Sequence, residues 1–322
     1  MRVGFDTSPL VQTRAGTARH VRGLLGALAG RERLELTRLS FGGPGRVSSV
    51  IRDAVWYPFG TAVAGRRLDV LHCPTFRGPL RSRAPVVLTV HDLAILQHPE
   101  TFPAWHRAYG RAGLRATARA ADAVVALSEF TKRETIELLG LPPERISVVP
   151  NGVEPVFTPD GPKAEGDYVL AVATLEPRKN LTRALEAARL AGVELRVVGA
   201  RGWGGVDVSG WAGFVSDEEL ARFYRGARCL VYPSLYEGFG LPILEAMACG
   251  TPVVTSRGGA TEETAGGAAV LVDPLSVESI AAGIEEAERR RHELVAAGLA
   301  RARPFTWTHA ADAVEALWRE LA

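Results

Sequence analysis

Among its 322 residues the chain has three cysteines, Cys73, Cys229 and Cys249. They have neither paired spacing nor a nearby histidine ladder, which excludes a disulfide framework or a zinc site and leaves them as small buried residues. Long apolar runs are missing too. None reaches the roughly 18 residues that a membrane-crossing helix needs. The start, MRVGFDTSPL, has the pattern of a strand, without the charged start and apolar stretch of a signal peptide, so a cytoplasmic location is expected. No G-x-G-x-x-G fingerprint is present after the first strand, which argues against a nicotinamide enzyme. No D-x-D occurs, so the paired carboxylates that commonly give Mg²⁺ or Mn²⁺ its oxygen ligands are lacking.

What is present supports full folding: 47% of the residues are hydrophobic, and the length suits two domains of roughly 150 residues each. The net charge of +2 conceals an asymmetry. Residues 1–150 carry 21 basic against 12 acidic side chains, whereas residues 151–322 carry 17 against 24. A basic half attracts anionic partners such as nucleic acid, a phospholipid surface or a phosphorylated acceptor. Nucleic acid is not expected, because no matching motif or interleaved aromatics accompany the charge.

The first half alternates helical patterns with short apolar runs at residues 3–5, 70–72, 86–90, 123–126 and 146–149. The second half repeats the rhythm at 168–173, 195–198, 229–232, 253–254 and 269–272. Such runs suit parallel sheets covered by helices on both faces, an α/β class in which ligands bind beyond the carboxyl ends of the strands. The proline and glycine cluster from Pro150 to Pro162 places a domain boundary near residue 160. The closing stretch, Thr308 to Leu321, carries a broad apolar stripe, which makes Trp307 and Trp318 core residues.

Four strand ends carry candidate chemistry. Arg14-Ala15-Gly16-Thr17 reads as a glycine turn opening a helix that ends near Gly30. His91-Asp92 follows the run at 86–90; such a pair suits a proton relay or a sugar contact, and no second histidine at ligand spacing speaks for a metal. Arg178-Lys179 combines a planar fork with a compact charge, which suits a diphosphate. Glu237 and Glu245 bracket Gly238, Phe239, Gly240 and Leu241, so one carboxylate lies on a glycine turn and the other on the helix it opens. Carboxylates bind hydroxyls well, and a helix N-terminus accommodates a phosphate. Separately, Arg107, Arg111, Arg115 and Arg119 form one stripe on a helix with Trp105 and Tyr109 at its start. Like charges at this spacing repel, so the stripe reads either as a contact for an anionic membrane surface or as a solvated face.

The block Tyr232–Ser256, YPSLYEGFGLPILEAMACGTPVVTS, with Glu237-x7-Glu245 inside it, resembles the signature of the retaining family-4 glycosyltransferases of GT-B fold. The resemblance implies two Rossmann-like doubly wound parallel-sheet domains, 1–160 for the acceptor and 161–305 for the nucleotide sugar, with a final helix at 306–322 packing back on the first. It implies that Arg178 and Lys179 neutralise the leaving nucleoside diphosphate, that Glu245 holds the ribose, and that Glu237 holds the transferred sugar. His91 would reach that sugar. Gly16, Gly238, Phe239, Gly240, Leu241 and Val215 would line the donor, Val215 through its backbone beside the base. The reaction implied is metal-independent transfer of a hexose, with a lean to mannose, from a GDP- or UDP-hexose to a glycan or lipid-linked acceptor, with no cofactor. Retention by a carboxylate nucleophile and same-face substitution assisted by the leaving phosphate both stay open. So do an epimerase of the same fold and a non-catalytic sugar- or lipid-binding protein.

Overall fold

The computed structural model describes residues 1–12, 16–43, 45–102, 104–203, 205 and 210–322. Arg14 and Ala15 of the expected glycine turn lie outside the described residues, as do the side chains of Trp105 and Tyr109. The chain divides into two units, Met1–Gly152 with Trp307–Ala322, and Val153–Thr306. The first division therefore falls at Gly152 rather than near residue 160. The backbone N–H of Val153 donates to Phe305 O at 2.9 Å, and Arg225 Nη1 donates to Thr158 O at 3.1 Å, so the proline-rich stretch is bonded into the second unit.

The first unit is built on six strands, β1 (Arg2–Asp6), β2 (Glu35–Leu39), β3 (Val70–Cys73), β4 (Val86–Val90), β5 (Ala123–Ala126) and β6 (Ile146–Val148). They pair in parallel in the order β2-β1-β3-β4-β5-β6. Strand β2 gave no apolar run because it is an edge strand, ELTRL, with only Leu39 buried. Helix Trp307–Leu321 belongs to this unit. Its Trp307, Ala311, Val314 and Trp318 join Val3, Phe5, Val21 and Leu24 in one core, as the apolar stripe predicts. A Cβ at Gly23 would run into the Trp307 indole, so the glycine is what lets helix Gly16–Leu28 approach.

The second unit repeats the scheme with β7 (Tyr168–Val172), β8 (Glu194–Val198), β9 (Leu230–Tyr232), β10 (Val253–Ser256) and β11 (Val270–Val272), in the order β11-β10-β9-β7-β8. All these pairings are parallel too. Helices Leu181–Leu190 and Val277–Arg289 bury their apolar stripes against it, with Leu181, Ala184, Ile280 and Ile284 in a core shared with Val169, Val197 and Val254. Both units are thus Rossmann-like doubly wound sheets. All three cysteines are free and buried. No helix among the described residues is long and apolar enough to cross a membrane.

Candidate active site

In the second unit the chemistry-bearing residues gather at the carboxyl ends of the strands. After β7 the chain makes a short 3₁₀ turn, Pro177–Lys179, then passes through Asn180 at φ 58° into helix Leu181–Leu190. Asparagine is among the few residues that adopt this left-handed conformation readily. Its side-chain amide donates to Pro233 O at 3.0 Å and to Pro274 O at 2.6 Å, which ties together the loops that follow β7, β9 and β11. The turn is held in one orientation as a result.

That orientation brings Arg178 and Lys179 onto Glu237, in the loop after β9. Lys179 Nζ donates to Glu237 Oε1 at 2.6 Å, and Arg178 Nη1 lies 3.3 Å from Oε2. The Tyr232 hydroxyl adds a bond to Oε1 at 2.8 Å. Glu176, which sequence reasoning did not single out, holds the other side of the fork: Arg178 Nη2 donates to its Oε1 at 2.8 Å. Arg178 also donates to Tyr236 O at 2.8 Å. Two cations and two carboxylates therefore form a nearly buried network. Burial drives the Glu237 carboxyl pKa upward, but the charges of Lys179 and Arg178, with the hydrogen bonds from Lys179 and Tyr232, outweigh it and hold the value at about 2. Glu237 is an anion at any ordinary pH. Burial, with Glu237 next to it, pushes the Tyr232 phenol well above its usual range, so its proton stays in place to donate.

The segment continues through Gly238 and Phe239, both buried, to Gly240, whose φ of 103° a side chain would strain. Gly240 leads into helix Leu241–Ala248 with Pro242 in its first turn. Phe239 O accepts from Thr264 Oγ1 at 2.6 Å, and the ring rests near Phe305. Glu245, fully buried on that helix, accepts from the Tyr224 hydroxyl at 2.9 Å. Val215 lies half-buried in the loop before helix Asp217–Gly226, which Ser216 caps by accepting from Glu219 N at 3.2 Å. The cap explains Ser216 without reference to any ligand.

His91 and Gly16 belong to the first unit. His91, at the end of β4, donates through Nε2 to Pro74 O at 2.8 Å, which leaves Nδ1 as the acceptor of the neutral ring. Burial holds its pKa below the usual histidine value, against the opposing effect of the Pro74 bond. Its ring meets that of His20 edge to face at 4.9 Å, and His20 Nδ1 is 2.7 Å from Asn151 Oδ1. Burial, and then the neighbouring His91, hold His20 neutral. This pairing joins helix Gly16–Leu28 to the end of the first unit and was not visible from the spacing. Asp92 Oδ1 accepts from Ala94 N at 3.0 Å and so shapes the loop after β4. Gly16 opens its helix, and a Cβ there would face open space. On helix Ala104–Ala120, Arg111, Arg115 and Arg119 are exposed while Arg107 is half-buried.

Residues 156–298 match the family described as glycosyl transferases group 1, and residues 15–157 match glycosyltransferase family 4. The O-antigen chain mannosyltransferase B of Escherichia coli is 32% identical to this chain over 94% of it and 84% of its own length. Among solved structures, sucrose-phosphate synthase from Thermosynechococcus elongatus superimposes with a TM-score of 0.79 at 19% identity, covering 99% of this chain and 98% of that one. HepE from Anabaena, solved with UDP and glucose, gives a TM-score of 0.77 at 18% identity over 100% of both chains. These two likenesses extend to the fold, which is that of both units described above.

Proposed function

Because the chain belongs to glycosyltransferase family 4, and is therefore a glycosyltransferase, we propose that it transfers a hexose with retention of configuration, and without a metal ion, from a nucleoside diphosphate sugar to a glycan or lipid-linked acceptor. The observation that carries this reading is the bonding of Lys179 and Arg178 to Glu237. In it the two cations receive the diphosphate and stabilise the charge that develops as the sugar leaves, the contribution usually worth most. Glu237 accepts hydroxyls of the transferred sugar, Glu245 holds the ribose, and Gly238, Phe239, Gly240 and Leu241 line the donor. Val215 stands beside the base, and Gly16 and His91 serve from the first unit.

The state of Glu237 bears on the mechanism. A carboxylate held at about pKa 2 cannot act as a general acid, and one whose two oxygens already take bonds from Lys179, Tyr232 and Arg178 is a weak nucleophile. The occupied oxygens favour same-face substitution, in which the leaving phosphate helps deprotonate the acceptor, over double displacement through this residue. Mannose is the first candidate sugar, in keeping with the mannosyltransferase name of the E. coli relative; the nucleotide is GDP or UDP. For the acceptor, the exposed Arg111, Arg115 and Arg119 offer a contact to an anionic surface. Thermal shift and donor hydrolysis across GDP-, UDP- and dTDP-sugars test the reading. A single preferred donor, turned over in a chelator, is expected; turnover that requires added Mg²⁺ or Mn²⁺ would contradict metal independence.

A further inference from the structure

A helical segment of the first unit presents an apolar row to the outside. Residues Arg46–Ile51 are α-helical, Arg52–Gly60 wind as a π-helix and Thr61–Ala64 return to α. Val47, Ile51, Val55, Phe59 and Val63 recur every four residues along it, and with Val50 they are 41% to 74% exposed. In a continuous α-helix a row of this spacing drifts around the axis, because four residues overshoot the turn of about 3.6. The wider π winding turns the drift back and keeps the row on one side.

The outward aim is imposed by the inner face. Arg52 is buried, with its guanidinium bonded to Phe41 O at 2.9 Å, Gly43 O at 3.3 Å and Ser49 Oγ at 3.1 Å. Tyr57 and Thr61 are buried beside it, and Trp56 stacks on Phe41. A solvent-facing helix ordinarily carries charges on its outer side. Here the acid of the segment, Asp53, is turned to Arg77 at 3.1 Å.

At the end of the row, Val63 shares a depression of about 250 Å³ with Arg66, Arg81, Ser82 and Arg83. Among the described residues none of these arginines, nor the exposed Arg67 beside them, forms an ion pair. We infer that this segment and its arginines form a docking surface for an anionic phospholipid bilayer: the aliphatic and phenyl side chains enter the interface while the guanidinium groups meet lipid phosphates. Charge selects this occupant over a second copy of the chain, since unpaired arginines repel one another across a self-contact. The inference goes beyond sugar transfer and does not rest on the donor assignment. It is also distinct in place from the arginine row on helix Ala104–Ala120.

The test is co-sedimentation of the full chain with phosphatidylcholine vesicles, with and without phosphatidylglycerol, alongside its mass in lipid-free solution. The chain is expected to bind the anionic vesicles and not the neutral ones. Val55→Glu with Phe59→Glu, and separately Arg66→Glu with Arg81→Glu and Arg83→Glu, should each lower the bound fraction by about tenfold or more at fixed salt. Both variants alter exposed side chains and should keep the wild-type melting temperature and donor affinity. The inference is overturned if the chain binds neither vesicle, if the variants bind as well as wild type, or if only Arg111→Glu with Arg115→Glu abolishes binding. A dimer in lipid-free solution that Val55→Glu with Phe59→Glu dissociates would overturn it as well.

Discussion

Lys179 Nζ and Glu237 Oε1, on loops that follow different strands of one sheet, stand 2.6 Å apart with each residue nearly buried. The pair is held in place from both sides, by Asn180 on the lysine's loop and by Tyr232 on the glutamate. Its geometry leads to predictions about charge, acidity and scaffold.

Glu237→Gln removes one of the network's two carboxylates and leaves Glu176 alone to balance Lys179 and Arg178 in a nearly buried site. We expect a stability loss on the order of 3 kcal/mol, read as a lower melting temperature. Transfer should fall by about a hundredfold or more. Free nucleoside diphosphate, by contrast, should bind at least as tightly as to wild type, because the cations no longer have Glu237 as a competing partner. Weaker diphosphate binding in calorimetry would argue that the cations act elsewhere.

Acidity should begin to act on the first unit at a higher pH than on the second. His72 in the first unit is fully buried, accepts through Nδ1 from Trp318 Nε1 at 3.1 Å and so donates through Nε2 to Thr89 Oγ1 at 3.0 Å. Burial lowers its pKa to about 3. Since the unfolded chain binds this proton near pH 6.5 and the folded chain does not, stability present above pH 6.5 is lost as pH falls toward 3, at about 1.4 kcal/mol per pH unit. Glu237, depressed to about 2, contributes stability that is lost only from roughly pH 4.5 downward. Urea midpoints between pH 7 and 5 should therefore fall in wild type and fall less steeply in His72→Phe; equal slopes would count against the assignment.

Asn180→Ala breaks two bonds to loop carbonyls and puts a β-carbon into a left-handed backbone, so a loss of about 2–4 kcal/mol is expected. Asn180→Gly loses the bonds and not the backbone preference, and should be the milder change. Thermal melts of the two variants separate the contributions. If neither variant melted below wild type, the tie among the three loops would be of no consequence; if alanine were the milder change, the left-handed backbone would carry no cost.

Tyr224→Phe removes the hydroxyl that donates to buried Glu245 at 2.9 Å. With Glu245 assigned to the ribose, the nucleoside diphosphate Kd should rise by about tenfold while the rate at saturating donor changes little. Titration calorimetry on nucleotide and on free sugar phosphate checks this, because only the nucleotide should respond.

Much of the scaffold could be read from the chain. Apolar runs such as 86–90 and 123–126 coincide with β4 and β5. Arg178, Lys179 and Glu237 could be nominated because their chemistry is unusual at strand ends. Glu176, Tyr232 and Asn180 could not, since their roles depend on which loops the sheet order brings side by side, and β7 lies next to β9 only after folding. The edge strand β2 escaped because exposure had replaced its apolar residues with polar ones. The row from Val47 to Val63 has a legible spacing, but by that pattern alone it belongs in a core; its outward aim comes from the buried anchoring of Arg52.

The most direct test of the account is kcat/KM for Lys179→Ala with the preferred donor, measured beside its melting temperature. Glu237 keeps Arg178 and Tyr232 as partners in this variant, so the fold should hold within a few degrees while kcat/KM falls by about a hundredfold or more. A folded Lys179→Ala protein that retained most of the wild-type kcat/KM would contradict the proposal that this lysine receives the leaving diphosphate.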